Sequence, residues 1–139
     1  MQLEIYTDGG SRGNPGAAAI GVVIKSGETP VYEAGKTIGI GTNNEAEYQA
    51  ILHSLEWLQS QKNTLQIERI TWKLDSKLVV EQLNKHWKIK EPRMLVYAQN
   101  AWKSLSELAI PYSITHIPRA QNAAADALVN QALDAAAAH

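Results

Sequence analysis

Four acidic side chains stand out by where they fall. The chain has only four aspartates, and three of them occupy unusual places. Asp8 closes an alternating apolar run just before a glycine-rich stretch. Asp75 closes a second such run just before a helical pattern, and Asp126 falls near the start of the last helical pattern. The fourth acid is Glu47. At 100° per residue, Ile51 lies ~40° and Leu58 ~20° from it round a helix, while Ser54 and Ala50 lie ~20° and ~60° to the other side. Glu47 is therefore central on an apolar stripe, and Glu45 points roughly the opposite way. An unpaired carboxylate is costly to bury, so Glu47 needs a compensating partner such as a cation. Each acid alone has an ordinary explanation. Asp75 can cap the helix that follows it, Asp8 can shape a turn before Gly9, Asp126 can complement a helix dipole, and Glu47 can snorkel off a first turn. Taken together, two acids at strand ends and two near helix starts can share one end of an α/β sheet. Oxygen ligands converging there suit a hard divalent cation.

The elements that must position these acids follow from periodicity. Leu3, Ile5 and Thr7 alternate with Glu4, Tyr6 and Asp8, the period of a half-buried strand. GGSRGNPG then reads as a loop. Residues 17–25 (AAAIGVVIK) form a strand apolar on both faces, as a central strand is. After a turn at SGETP, residues 31–40 form a third strand, close enough to the second for a hairpin. From Thr42 the period becomes helical. Thr42 and Glu45 make a capping box, and Ala50, Ile51, Leu55 and Leu58 form the apolar stripe. Residues 66–74 read as a fourth strand and 76–85 as a helix. A helix starting at Pro92 carries Leu95, Ala98, Trp102 and Leu105. Residues 112–117 form a fifth strand, and a closing alanine-rich helix starts at Asn122, with 135–139 expected to fray. The order βββ-α-β-α-α-β-α describes an α/β domain, a mixed sheet with helices on its faces.

Composition bounds the chemistry. The 139 residues suit one domain, 1–139, with a core that needs no metal or disulfide staple. Cysteine is absent, which excludes disulfide scaffolds, thiolate zinc sites, iron–sulfur clusters and cysteine nucleophiles. No apolar run is long enough to span a membrane, and the N-terminus lacks the pattern of a signal peptide, so the expected location is cytoplasmic. The net charge of −1 hides an asymmetry. Residues 76–93 hold five basic and two acidic side chains, a net +3, which leaves −4 for the rest. The four singled-out acids account for four negative charges, so the balance describes an acidic pocket beside a short basic segment. GGSRGNPG is not a phosphate-binding P-loop, because no Gly-Lys-Ser/Thr follows.

Four motifs in order, YTDGGSRGNPG, TNNEAEYQA, LDSKLVV and HIPRAQNAAADAL, span Tyr6 to Leu128. In this order and spacing the chain resembles type 1 ribonuclease H. The resemblance implies a ribonuclease H-like fold, with a five-stranded mixed sheet whose first three strands are antiparallel. It implies a catalytic set of Asp8, Glu47, Asp75 and Asp126 that holds two Mg²⁺ ions about 3.5–4 Å apart, with Asp8 as the best candidate to bridge them. Mn²⁺ is expected to substitute. The implied reaction is sequence-independent hydrolysis of the RNA strand of an RNA–DNA hybrid, leaving 5′-phosphate and 3′-hydroxyl ends. His116, ten residues before Asp126, fits the family's mobile loop histidine, a proton carrier that also aids product release.

The same resemblance assigns substrate contacts. Gly10, Asn14, Asn43 and Glu47 are expected near RNA 2′-hydroxyls, and Asn14, Asn43 and Asn44 on the nucleic-acid backbone. Many members carry a long basic protrusion between the two middle helices. Here that stretch is only KHWKIKEPRM, a reduced handle for the DNA strand in which Lys85, Trp87, Lys88 and Lys90, with Arg93, offer charge and one aromatic face. Weaker, steeply salt-dependent hybrid binding is the expectation. The chain is expected to be a monomer with no protein partner and no membrane association. The competing readings are a non-catalytic hybrid-binding module and a fold relative cutting double-stranded RNA or junctions.

Overall fold

In the computed structural model, which describes residues 1–138, three long strands open the chain. They are β1 (Gln2–Arg12), β2 (Gly16–Ser26) and β3 (Thr29–Gly41). They are followed by α1 (Asn43–Gln61), β4 (Arg69–Leu74), α2 (Lys77–Leu83), α3 (Pro92–Leu108), β5 (Tyr112–His116), a 3₁₀ turn (Arg119–Asn122) and α4 (Ala123–Ala137). The sheet order is β3-β2-β1-β4-β5. The first three strands pair antiparallel, and β4 and β5 add parallel on the other side of β1. This is the expected five-stranded mixed sheet.

The largest correction concerns β1. The stretch expected to be a loop from Gly9 is mostly strand. Gly9, Gly10, Ser11 and Arg12 pair with Ile20, Ala19, Ala18 and Ala17, leaving Gly13–Pro15 as the turn. Gly9, one of the glycines that suggested a loop, serves close approach instead, as described for the site below. Other boundaries move as well. β4 starts at Arg69 and not at 66. α2 ends at Leu83, because Asn84 leaves the helix and Lys85 adopts a φ of 64°. The tail expected to fray from 135 stays helical through Ala137, as its alanine content favours, and His139 lies outside the described residues.

One face of the sheet carries α1 and α3. Leu3, Ile5, Val22, Ile24, Ile51, Leu55, Trp72 and Leu74 are buried between them. Ser54 sits on this apolar stripe because its hydroxyl accepts the Trp72 indole N–H at 2.9 Å, so both polar groups are satisfied in the core. On α3 the buried positions are Met94, Ala98, Ala101 and Leu105. Trp102 is half-buried and donates its indole N–H to the Leu83 carbonyl at 2.9 Å. His53 packs against Tyr32, whose hydroxyl lies 2.8 Å from its Nε2. The opposite face carries α4, where Val129 and Leu133 cover Ala19. A Cβ at Gly21 would stand 2.2 Å from the Ala125 carbonyl oxygen, so α4 lies directly on the β2 backbone. No described helix is long and apolar enough to cross a membrane.

Candidate active site

Parallel pairing of β1 with β4 brings the C-terminal ends of both strands to the same side, where α/β sheets place their sites. Asp8 lies on β1, and Asp75 follows the last residue of β4. The helix after Asp75 is capped by Ser76, whose hydroxyl accepts the Val79 amide at 3.4 Å. Asp75 is thereby released from the capping role that its position allows. α1 delivers Glu47 to the same place. The capping box forms as read: the Glu45 amide donates to the Thr42 hydroxyl at 3.1 Å, and the Thr42 amide donates to the Glu45 carboxylate at 3.3 Å. The second carboxylate oxygen of Glu45 accepts from Arg93 at 3.0 Å. Burial by itself would raise the Glu45 pKa, but Arg93 and the Thr42 amide hold it below its ordinary value.

Gly9 lets α1 come this close. A Cβ there would stand 2.2 Å from the Ala46 carbonyl carbon and 2.4 Å from the Glu47 nitrogen. Its amide then donates to Glu47 Oε1 at 3.0 Å. The other oxygen, Oε2, is buried without a hydrogen-bond partner. Asp8, Glu47 and Asp75 each offer a carboxylate oxygen, and these atoms lie within 4.8 Å of one another. Burial is the main reason that all three carboxyls bind protons more tightly than usual. Asp8 is pushed up to about 7, with the charges of Asp75 and Asp126 adding to the effect. Glu47 is raised as well, by burial first and then by the charge of the neighbouring Asp8. Asp75 rises less, since Arg119 opposes the shift. Such a cluster is unfavourable when ionised alone and becomes favourable around a cation.

The acids floor an open cleft of about 480 Å³ that also takes in Gly10, Asn43, Asn44, Asp126 and Arg119. Asp126 stands in the first turns of α4 and is one-third exposed. Asn43 accepts the Ser11 amide at 2.8 Å, and its own amide donates to Asn14 Oδ1 at 3.0 Å. Asn14 is thus tied to the start of α1 without itself lining the cleft.

Two expected groups lie outside the cleft. His116 is exposed, pairs with Leu74 at the end of β5, and does not line the cleft. The 3₁₀ turn instead brings Arg119 in, with its guanidinium 3.7 Å from Asp126. Lys85, Trp87, Lys88 and Lys90 are exposed and also stand outside the cleft. Lys77 lies 5.9 Å from the Trp87 ring and Lys85 4.8 Å from the Trp102 ring. Arg93 is committed to Glu45.

Sequence reasoning missed Arg119 and Asn122. Asn122 is 1% exposed, and its side chain makes no hydrogen bond to the helix that it precedes. Its Nδ2 donates to the Thr7 carbonyl at 2.9 Å, while its amide also lowers the proton affinity of Asp75. It thereby ties the start of α4 to both acid-bearing strands.

Residues 6–132 match a family model described as reverse transcriptase-like. The chain is 42% identical over 137 residues to ribonuclease HI of Halobacterium salinarum, an alignment covering 96% of this chain and 65% of that protein. It is 40% identical to Bifunctional protein Rv2228c of Mycobacterium tuberculosis, covering 99% of this chain and 37% of that one. The chain therefore spans less than two thirds of the length of these two relatives. Among solved structures, LC11-RNase H1 in complex with RNA/DNA hybrid superposes with a TM-score of 0.92 at 41% identity, covering 96% of this chain and 98% of that one.

Proposed function

The chain belongs to the type 1 ribonuclease H family, and on that premise we propose that it hydrolyses the RNA strand of RNA–DNA hybrids, independent of sequence, leaving 5′-phosphate and 3′-hydroxyl ends. The observation that carries this reading is the triad of carboxylate oxygens from Asp8, Glu47 and Asp75 within 4.8 Å, one of the acids keeping a buried oxygen unpartnered. An all-oxygen, anionic donor set of this kind fits Mg²⁺, and Mn²⁺ as a substitute. Asp8, Glu47 and Asp75 would hold the ions with Asp126, and Asp8 would serve as the shared ligand. Two ions bound there would supply a water activated at neutral pH and charge stabilisation for the departing 3′-oxygen.

The chain's own groups orient the substrate. Asn43 and Asn44 stand at the start of a 19-residue helix, where amides and the helix dipole favour a phosphate. The open edge at Gly10 leaves space for the RNA backbone and its 2′-hydroxyls, which distinguish RNA from DNA. Asn14 acts through Asn43, which it holds in place. Arg119 lines the cleft beside Asp126, while His116, the expected proton carrier, stands outside it. A guanidinium stays charged, so Arg119 would neutralise a phosphate oxygen and not carry a proton. Lys85, Trp87, Lys88 and Lys90, with Lys77, form the short handle for the DNA strand. The protein works as a monomer in the cytoplasm on this reading.

The test offers end-labelled hybrid, double-stranded RNA, double-stranded DNA and a four-way junction, each with Mg²⁺ or EDTA. The expected result is Mg²⁺-dependent cleavage of the hybrid's RNA strand alone. Cutting of double-stranded RNA or the junction in preference to the hybrid overturns it, and so does hybrid binding without turnover.

A further inference from the structure

Arg12 is the one cation besides Arg119 among the described residues lining the acidic cleft. It ends β1, four residues beyond Asp8, on the side of the acids towards the far end of α4. Its guanidinium bonds Asp134 Oδ1 at 2.6 Å and reaches the Asn130 carbonyl at 3.5 Å. Asp126, Asn130 and Asp134 follow at four-residue spacing, so they share one face of α4. Asn130 donates to the Asp126 carbonyl and carboxylate at 3.1 and 3.4 Å. Arg12 therefore sits at the far end of a polar row that begins at the acids, about 12 Å along the helix from Asp126.

We propose that Arg12 is a phosphate-binding side chain for the nucleic-acid strand in the cleft, held by Asp134 until a phosphodiester takes its place. The proposal rests on the nuclease reading and deepens it. Arg12 and Asp134 are 43% and 70% exposed, and an exposed ion pair of this kind contributes little to stability. Exchanging the carboxylate for a phosphate is therefore cheap, and a guanidinium matches two phosphate oxygens at once. A strand with one phosphate at the acids must run along the cleft. Arg119 meets it at the Asp126 end, and Arg12 meets it beyond Asn130.

Fluorescence anisotropy with a short fluorescein-labelled RNA–DNA hybrid across a salt series tests this. Mg²⁺ is present, and every protein carries Asp75→Asn so that the strand stays intact. Arg12→Ala should weaken binding ~5–10-fold and lower the salt slope by about 1. Arg12→Lys should fall between the two. Asp134→Asn should tighten binding ~2–5-fold by freeing Arg12. That gain should vanish in the Arg12→Ala/Asp134→Asn double variant. A gain that persists there is general charge and overturns the proposal, as does an Arg12→Ala protein with unchanged affinity and slope. If the protein without Asp75→Asn leaves hybrid RNA uncut in Mg²⁺, the nuclease reading falls while the affinities still decide the role of Arg12. If no form binds hybrid, the Arg12 proposal falls too.

Discussion

Asn122 donates its side-chain amide to the carbonyl of Thr7, 2.9 Å away and 115 residues earlier in the chain. Thr7 precedes Asp8, and Asn122 opens the helix that carries Asp126, so one buried amide fixes two acid-bearing elements to each other. The same side chain acts on Asp75. Asn122→Asp keeps the shape but sets a carboxylate against the Thr7 carbonyl. We expect it to lower unfolding stability by about 1–3 kcal/mol in urea titration. Mg²⁺-induced thermal stabilisation should shrink as well, because the acids no longer hold their spacing. Equal metal stabilisation in both proteins contradicts this.

The raised pKa of Asp8 predicts how the metal-free protein responds to pH. The folded state holds this proton to about pH 7, against an ordinary value of 3.8. A group whose folded pKa is raised contributes stability that is complete below its unfolded pKa and lost as pH rises through the folded one. In EDTA, the Asp8 contribution should therefore fall between pH 4 and pH 7. Asp8→Asn removes that loss, so its stability advantage over the parent should grow across this window to about 2–4 kcal/mol. Denaturant unfolding at pH 5 and pH 8 reads it directly. An advantage that is the same at both pH values counts against the shift.

Arg119 and His116 should separate cleanly. Arg119→Ala removes the guanidinium beside Asp126 and should slow hybrid cleavage ~10-fold or more, with partial recovery in Arg119→Lys. His116→Ala changes an exposed side chain outside the cleft and should leave the rate within about twofold. Steady-state rates on the hybrid decide it, and the reverse ranking would restore the histidine to the site.

A stability prediction lies far from the chemistry. α3 ends on Ala109 at φ 54°, ψ 34°, a left-handed cap that glycine occupies more readily. The residue is exposed, so Ala109→Gly should raise stability by about 0.5–1 kcal/mol without changing hybrid cleavage. A lower melting temperature is the contrary result.

The features legible from sequence are local. Thr42 and Glu45 lie three residues apart, and their capping box could be read because both partners are in one turn. Glu47 was conspicuous because an acid on an apolar stripe violates helical patterning. The features that escaped depend on distant partners. Gly9 and Gly10 looked like a loop because nothing nearby shows that α1 packs onto the strand at Gly9. The ten-residue interval from His116 to Asp126 does not reveal the 3₁₀ turn, which places Arg119 and not His116 beside Asp126. Asn122 reads only as the start of the last helix, since its partner belongs to the first strand.

The central claim is that Asp8, Glu47 and Asp75 hold divalent cations in order to cut RNA paired with DNA. The most direct measurement is the cleavage rate of a hybrid labelled on its RNA strand, in Mg²⁺ and in EDTA, for the parent and for Asp75→Asn. The account predicts cleavage only in the parent with Mg²⁺, with Asp75→Asn folded and reduced to the EDTA background. Full cleavage by Asp75→Asn, or by the parent in EDTA, would contradict it.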